Sequence, residues 1–121
     1  MINFARDVSI VITTYNRTNY VNVFTNSLEE LGFCGHLIIA DASVEEYFQK
    51  TSKNISQINN YRITHLQTPK GKNQTLSQNM NECFKSGVQC IDTKYAMLSL
   101  DDDIPLPNIL ELFQNELDKD L

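Results

Sequence analysis

Three adjacent carboxylates, Asp101, Asp102 and Asp103, close the apolar run Tyr95-Ala96-Met97-Leu98-Ser99-Leu100, and Pro105 and Pro107 follow at once. Like charges held this close repel one another, and a hard divalent cation relieves the repulsion while taking the oxygen ligands it prefers. Along an extended chain side chains alternate, so Asp101 and Asp103 are expected on one side, with Cα atoms about 6–7 Å apart, and Asp102 on the other. A short apolar run bounded by breakers reads as a strand buried on both faces, as inside a parallel sheet. The plainer alternative is a solvated acidic loop capping the next helix, which acidic clusters form more often than metal sites. Position favours function, because open α/β sheets hold their ligands at the carboxyl ends of strands.

Other candidate groups stand at comparable places. Thr14-Tyr15-Asn16-Arg17 offers a hydroxyl, an aromatic face, an amide and a guanidinium in succession, enough to stack a base and face a phosphate. Taken alone it is as well explained by a loop with a helix cap. Asp41 ends a second apolar run and can accept a hydrogen bond from a nucleobase imide or a ribose hydroxyl; capping the next helix is its ordinary alternative. Ser43, two residues on, looks like that helix's N-cap. Pro69-Lys70-Gly71-Lys72-Asn73 is basic and glycine-bearing but lacks phosphate-loop spacing. Asn79 falls within a helix, where it either faces the sheet edge and a ligand or, more commonly, solvent. His36 and His65 lie on strands without a paired nucleophile and read as structural, and no Ser-His-acid or Cys-His arrangement is evident.

The elements that must position these groups follow from periodicity. Val8–Thr13 is a β-branched, buried strand ending in the Thr14–Arg17 loop. Thr18 or Asn19 can cap a helix carrying Val21, Phe24, Leu28 and Leu31, with Gly32 as its stop. His36–Asp41 is a second strand, followed by a weaker helix with Glu45 and Glu46 in its first turn and Tyr47, Phe48 and Ile55 along it. Arg62–Gln67 alternates as an edge or half-buried strand does. Asn73 or Thr75 opens a helix through Leu76, Met80, Cys83, Phe84 and Val88, and Gly87 stands near its end. Tyr95–Leu100 is the fourth strand, and Ile109, Leu110, Phe113 and Leu117 mark a last helix. The alternation predicts an α/β three-layer sandwich, a mostly parallel Rossmann-like sheet of about four strands with helices on both faces, and the edge shared by the ligand-bearing loops points to the order 3-2-1-4. In that order the Thr14–Arg17 loop faces Asp101–Asp103 across a crevice.

Composition bounds the reading. The 121 residues suit a single domain spanning 1–121. The net charge of −5 is uneven, since Asp101, Asp102, Asp103, Glu111, Glu116, Asp118 and Asp120 crowd the end with Lys119 as their only basic neighbour. Such a balance gives no support to nucleic-acid binding. The three cysteines, Cys34, Cys83 and Cys90, lack metal-ligand spacing and read as reduced packing residues. No apolar run approaches a transmembrane segment and no signal pattern opens the chain, so a cytoplasmic protein is expected.

VSIVITTYNR, IIADAS, GKNQTLSQNMN and YAMLSLDDDIPLP together resemble, from about Asp7 onward, the nucleotide-sugar-binding half of family 2 glycosyltransferases of GT-A fold. The aspartate run looks like that family's DXD motif. The resemblance implies Asp103, with Asp101, as ligand of a Mn²⁺ or Mg²⁺ cofactor, and Asp101 or Asp102 as a contact to the nucleotide sugar. It implies that Thr14, Tyr15, Asn16 and Arg17 form the first nucleotide loop, that Asp41 reads the base and that Ser43 supplies a hydroxyl. The implied partner is a nucleotide-diphosphate sugar, a UDP-sugar by preference, whose sugar passes to an unknown acceptor. Two departures stand out. Ser77-Gln78-Asn79 lacks the arginine that family members commonly carry in this helix. The acceptor-binding half and the acidic general base would lie beyond Leu121, in a missing C-terminal domain, and no residue here is assigned that base.

Two other functional classes compete with a transferase. A non-catalytic nucleotide-binding module would keep the fold without turnover. A phospho-accepting receiver domain has a similar size, but it wants an acidic pair after the first strand, which here ends in TTYN.

Overall fold

The computed structural model describes residues 4–68, 75–103, 115–116 and 119. The element order is α1 (Phe4–Asp7), β1 (Val8–Thr14), α2 (Thr18–Glu30), β2 (His36–Asp41), α3 (Glu45–Ile55), β3 (Arg62–Gln67), α4 (Leu76–Val88) and β4 (Tyr95–Leu100). All three strand pairings are parallel, as the alternation of elements implies, and the sheet order is β3-β2-β1-β4, as expected. The single helical turn of α1 was not anticipated. The expected Pro69–Asn73 loop, and the residues marking a last helix, Ile109, Leu110, Phe113 and Leu117, lie outside the described residues.

β1 and β2 are buried along their whole length because the sheet is covered on both sides at its centre. On one face Ile10, Ile12, Leu37 and Ile39 pack against Val21, Phe24 and Leu28 of α2 and Ile55 of α3. Each such side chain contributes roughly 1.5–3 kcal/mol by leaving water. α4 covers the other face through Cys83 and Gly87. A Cβ on Gly87 would stand 2.5 Å from Val11 Cγ1, so glycine here lets the helix axis approach the sheet. Two helices on one face and one on the other follow from right-handed crossovers out to β3 and back to β4.

Helix ends match local chemistry in part. Gly32 has φ +73°, and the Gly32 and Phe33 amides donate to Glu29 O and Leu28 O, a Schellman stop at the expected residue. Thr75 caps α4 in a capping box with Gln78. Two expected caps are corrected. α2 begins at Thr18 with Arg17 at the N-cap and no side-chain cap; the Thr18 hydroxyl instead pairs with Thr51 of α3 at 2.9 Å. Ser43 does not cap α3, whose N-cap is Val44.

β4 is also corrected. It was expected to be buried on both faces, yet Ala96 and Leu98 are exposed, Leu98 by 55%. Leu98 pairs with Val11 and so shares the α4 face, but α4 lies over β1 and β2 and leaves this edge strand uncovered. β3 is the half-buried edge strand its alternation implied. The three cysteines are free, and Cys34 is exposed rather than packed.

Candidate functional site

Parallel strands in matched register bring their following loops to one edge. Thr14 pairs with Asp41 and Thr13 with Leu100, so the ends of β1, β2 and β4 are level. The order reverses beside β1, where a crevice opens between loops leaving in opposite directions. There Thr14 Oγ1 donates to Asp101 Oδ2 at 2.8 Å across a sequence separation of 87 positions. The crevice encloses about 200 Å³, lined by Thr14, Tyr15, Arg17, Asn79, Asp101 and Asp102 among others. Six of the ten residues singled out from sequence therefore share one cavity.

Arg17 organises its charge. The guanidinium lies 3.4 Å from Asp101 and 3.7 Å from Asp102, and stacks over the Tyr20 ring at 3.7 Å. Tyr20, three residues into the helical frame from Arg17, went unnoticed in the sequence although that spacing sets the two side by side. Burial pushes the Asp101 carboxyl above the usual carboxylate range, and the Thr14 hydroxyl and Arg17 pull it partly back. The expected alternation of the aspartates fails: β4 ends at Leu100, Asp101 and Asp102 form a turn, and both reach the same guanidinium. Asp103 follows the turn, exposed, its amide bonded to Leu100 O at 3.2 Å.

Asn79 is buried and faces the cavity rather than solvent, placed there by the α4 side that carries Cys83 and Gly87. Gln78, which stands where an arginine was looked for, spends its side-chain oxygen on the Thr75 amide at 2.9 Å. Asn16, at φ +54°, turns away from the cavity: its amide donates to Ser43 Oγ at 2.7 Å and its Oδ1 accepts from the Val44 amide at 3.0 Å. Asp41 and Ser43 are buried behind the loop. Asp41 Oδ1 accepts from the Ser43 amide at 2.9 Å, and Oδ2 lies 2.8 Å from His65 Nε2. A larger open hollow of about 820 Å³ on α4 is lined by Gln78, Phe84, Lys85 and Val88; none of these stands at a strand end.

The donor set suits a hard cation. Asp101, Asp102 and Asp103 offer carboxylate oxygens, the last two exposed, and the sulfur-bearing Met80 and Cys83 line the same crevice. Among the described residues no three acidic, histidine or cysteine groups converge on one point, so a cation here would need ligand oxygens or water to complete its shell.

Comparison of the sequence with protein families and with curated proteins finds no match. The fold, however, is shared. Against the crystal structure of S. aureus TarS 1–349 the TM-score is 0.63 at 20% identity, over 93% of this chain and 32% of that one. Against a second S. aureus TarS crystal structure it is 0.66 at 18% identity, over 93% of this chain and 20% of that one. The chain thus spans a third or less of the structures it resembles. No helix among the described residues is long and apolar enough to cross a membrane. The sheet order also excludes the receiver alternative, in which the third strand lies beside the first.

Proposed function

We propose that this chain is the donor-binding portion of a nucleotide-sugar-dependent glycosyltransferase, holding a UDP-sugar and a Mn²⁺ or Mg²⁺ ion at the β1–β4 crevice. The observation that carries this reading is the Thr14–Asp101 contact, which brings the first loop and the aspartate cluster together at the reversal of the sheet. Nearly all of the chain shares the fold of part of TarS, a glycosyltransferase.

The chemistry asks for what the crevice offers. As a glycosidic bond to a nucleotide diphosphate breaks, negative charge collects on the leaving phosphate. A divalent ion there acts as Lewis acid and template. Asp103 and Asp101 would hold it. Arg17, now shared between Asp101 and Asp102, is within reach of the same charge, and its planar fork suits phosphate oxygens. Tyr15 supplies a 40% exposed ring for the base. Asn79 offers amide donors from the far wall.

A second reading, a non-catalytic nucleotide-binding module, has one observation in its favour. Among the described residues the carboxylates lining the crevice are Asp101 and Asp102, both engaged by Arg17, so neither is free to serve as general base. Incubation with radiolabelled UDP-sugar and Mn²⁺ separates the two. Release or transfer of the labelled sugar supports the transferase, whereas UDP binding without turnover supports the module. Absence of UDP binding at millimolar concentration refutes both.

A further inference from the structure

Asp41 has no exposure to solvent, and both its oxygens are taken inside the protein, by the Ser43 amide and by His65. His65 is itself nearly buried, its side chain 8% exposed and its ring stacked on Phe48 of α3 at 4.0 Å and 17°. Its Nδ1 is the only buried side-chain nitrogen or oxygen among the described residues without a hydrogen-bond partner. A hydrogen on Nδ1 would meet no acceptor, so the ring carries it on Nε2 and donates it to Asp41.

The contact continues outward. Asp41 fixes the Ser43 amide, Ser43 Oγ accepts from the Asn16 amide, and Asn16 Oδ1 accepts from the Val44 amide. The Ala42 amide donates to Thr14 O at 3.0 Å and ties the same two loops a second time. These bonds hold Asn16 in a left-handed conformation that asparagine tolerates better than most residues. Tyr15 and Arg17 flank that bend.

We infer that His65 is a positioning residue for the crevice: through Asp41 it fixes the Ser43–Val44 turn and hence the Asn16 bend that delivers Tyr15 and Arg17. Asp41 then acts on a ligand through this turn and not by touching the base. The ligand arm of the test rests on the nucleotide reading above; the loop arm does not.

The test compares His65→Phe, which keeps the ring stack and deletes the donor, with His65→Gln, which restores a donor. Amide hydrogen exchange is followed over residues 14–18 and 42–46 and over β1 and β2, with UDP titrations in Mn²⁺ alongside. In His65→Phe, exchange at the Asn16 and Ser43 amides rises about tenfold while the strands stay protected, and UDP affinity falls about tenfold, the effect of losing one hydrogen bond to a charged group. His65→Gln recovers most of both. Unchanged loop exchange overturns the inference, and so does an even rise across the sheet with binding that tracks only the folded fraction. Should His65→Phe not fold, Ser43→Ala removes the Asn16 acceptor alone, and unchanged exchange at Asn16 there overturns it equally. If the parent does not bind UDP, the nucleotide reading fails while the exchange arm still decides the positioning.

Discussion

Thr14 and Asp101, one at the end of β1 and the other just past β4, share a buried 2.8 Å hydrogen bond that joins the two sides of the crevice. Replacing Thr14 by Val keeps the β-branched shape and removes the hydroxyl that donates to this carboxylate. The expected loss is about 1–3 kcal/mol at neutral pH, the cost of a buried acceptor left unpaired. Asp101 titrates above its unfolded value, so its ionisation subtracts stability as pH rises through the window above ~4, and acid returns it. The Thr14→Val deficit should therefore shrink as pH falls through that window. Thermal melts of parent and variant from neutral pH down to ~4 measure it.

Gly87 tests the packing of α4. Alanine would gain up to about 1 kcal/mol in helix propensity, yet its Cβ meets a fully buried, β-branched side chain 2.5 Å away. Overpacking of this kind costs about 1–3 kcal/mol and should win. Urea denaturation is expected to find Gly87→Ala destabilised, and Gly87→Ala with Val11→Ala less destabilised than the two single effects added together.

Asp92 fastens the opposite edge of the sheet. Its carboxylate takes both Arg62 guanidinium nitrogens and His36 Nδ1, and the Arg62 hydrogen bond first, then His36, holds it well below the usual carboxylate range. A depressed acid contributes stability above its unfolded value and loses it as pH falls toward the folded one. Asp92→Asn should lower the melting temperature at neutral pH, with the gap closing below ~3.8. An undiminished gap at ~2 would mean that the carboxylate charge is not what matters.

Arg17 shares Asp101 and Asp102 with any cation that binds there. Arg17→Gln should strengthen binding of free Mn²⁺ by several-fold, since a competing positive charge is gone, and weaken UDP by about tenfold, since a phosphate partner is lost. Calorimetric titration with each ligand separates the two signs.

The fold was legible because β1 and β2 are strongly β-branched and apolar, and Gly32 and Thr75 end and begin helices by local chemistry alone. What escaped was set by partners distant in sequence. Thr18 and Ser43 have the side chains of caps, but Thr51 and Asn16 claim their hydroxyls. The alternation of the aspartates assumed an extended chain through Asp103, whereas β4 ends at Leu100 and turns at Asp101 and Asp102. Exposure of Leu98 depends on where α4 lies, which composition does not encode. His65 reads as structural from sequence, but its partner follows only from register: it pairs with Ile39, two residues before Asp41 on the same face.

The proposed site stands or falls on whether nucleotide binding needs a cation. The direct measurement is UDP affinity with Mn²⁺ and with a chelator, for the parent, Asp103→Asn and Asp102→Asn, with thermal melts to verify folding. The parent should bind UDP at least about tenfold more tightly with Mn²⁺, Asp103→Asn should lose that dependence while remaining folded, and Asp102→Asn should retain most of it. Equal affinity of the parent for UDP with and without the metal would contradict the site and leave the three aspartates a solvated turn.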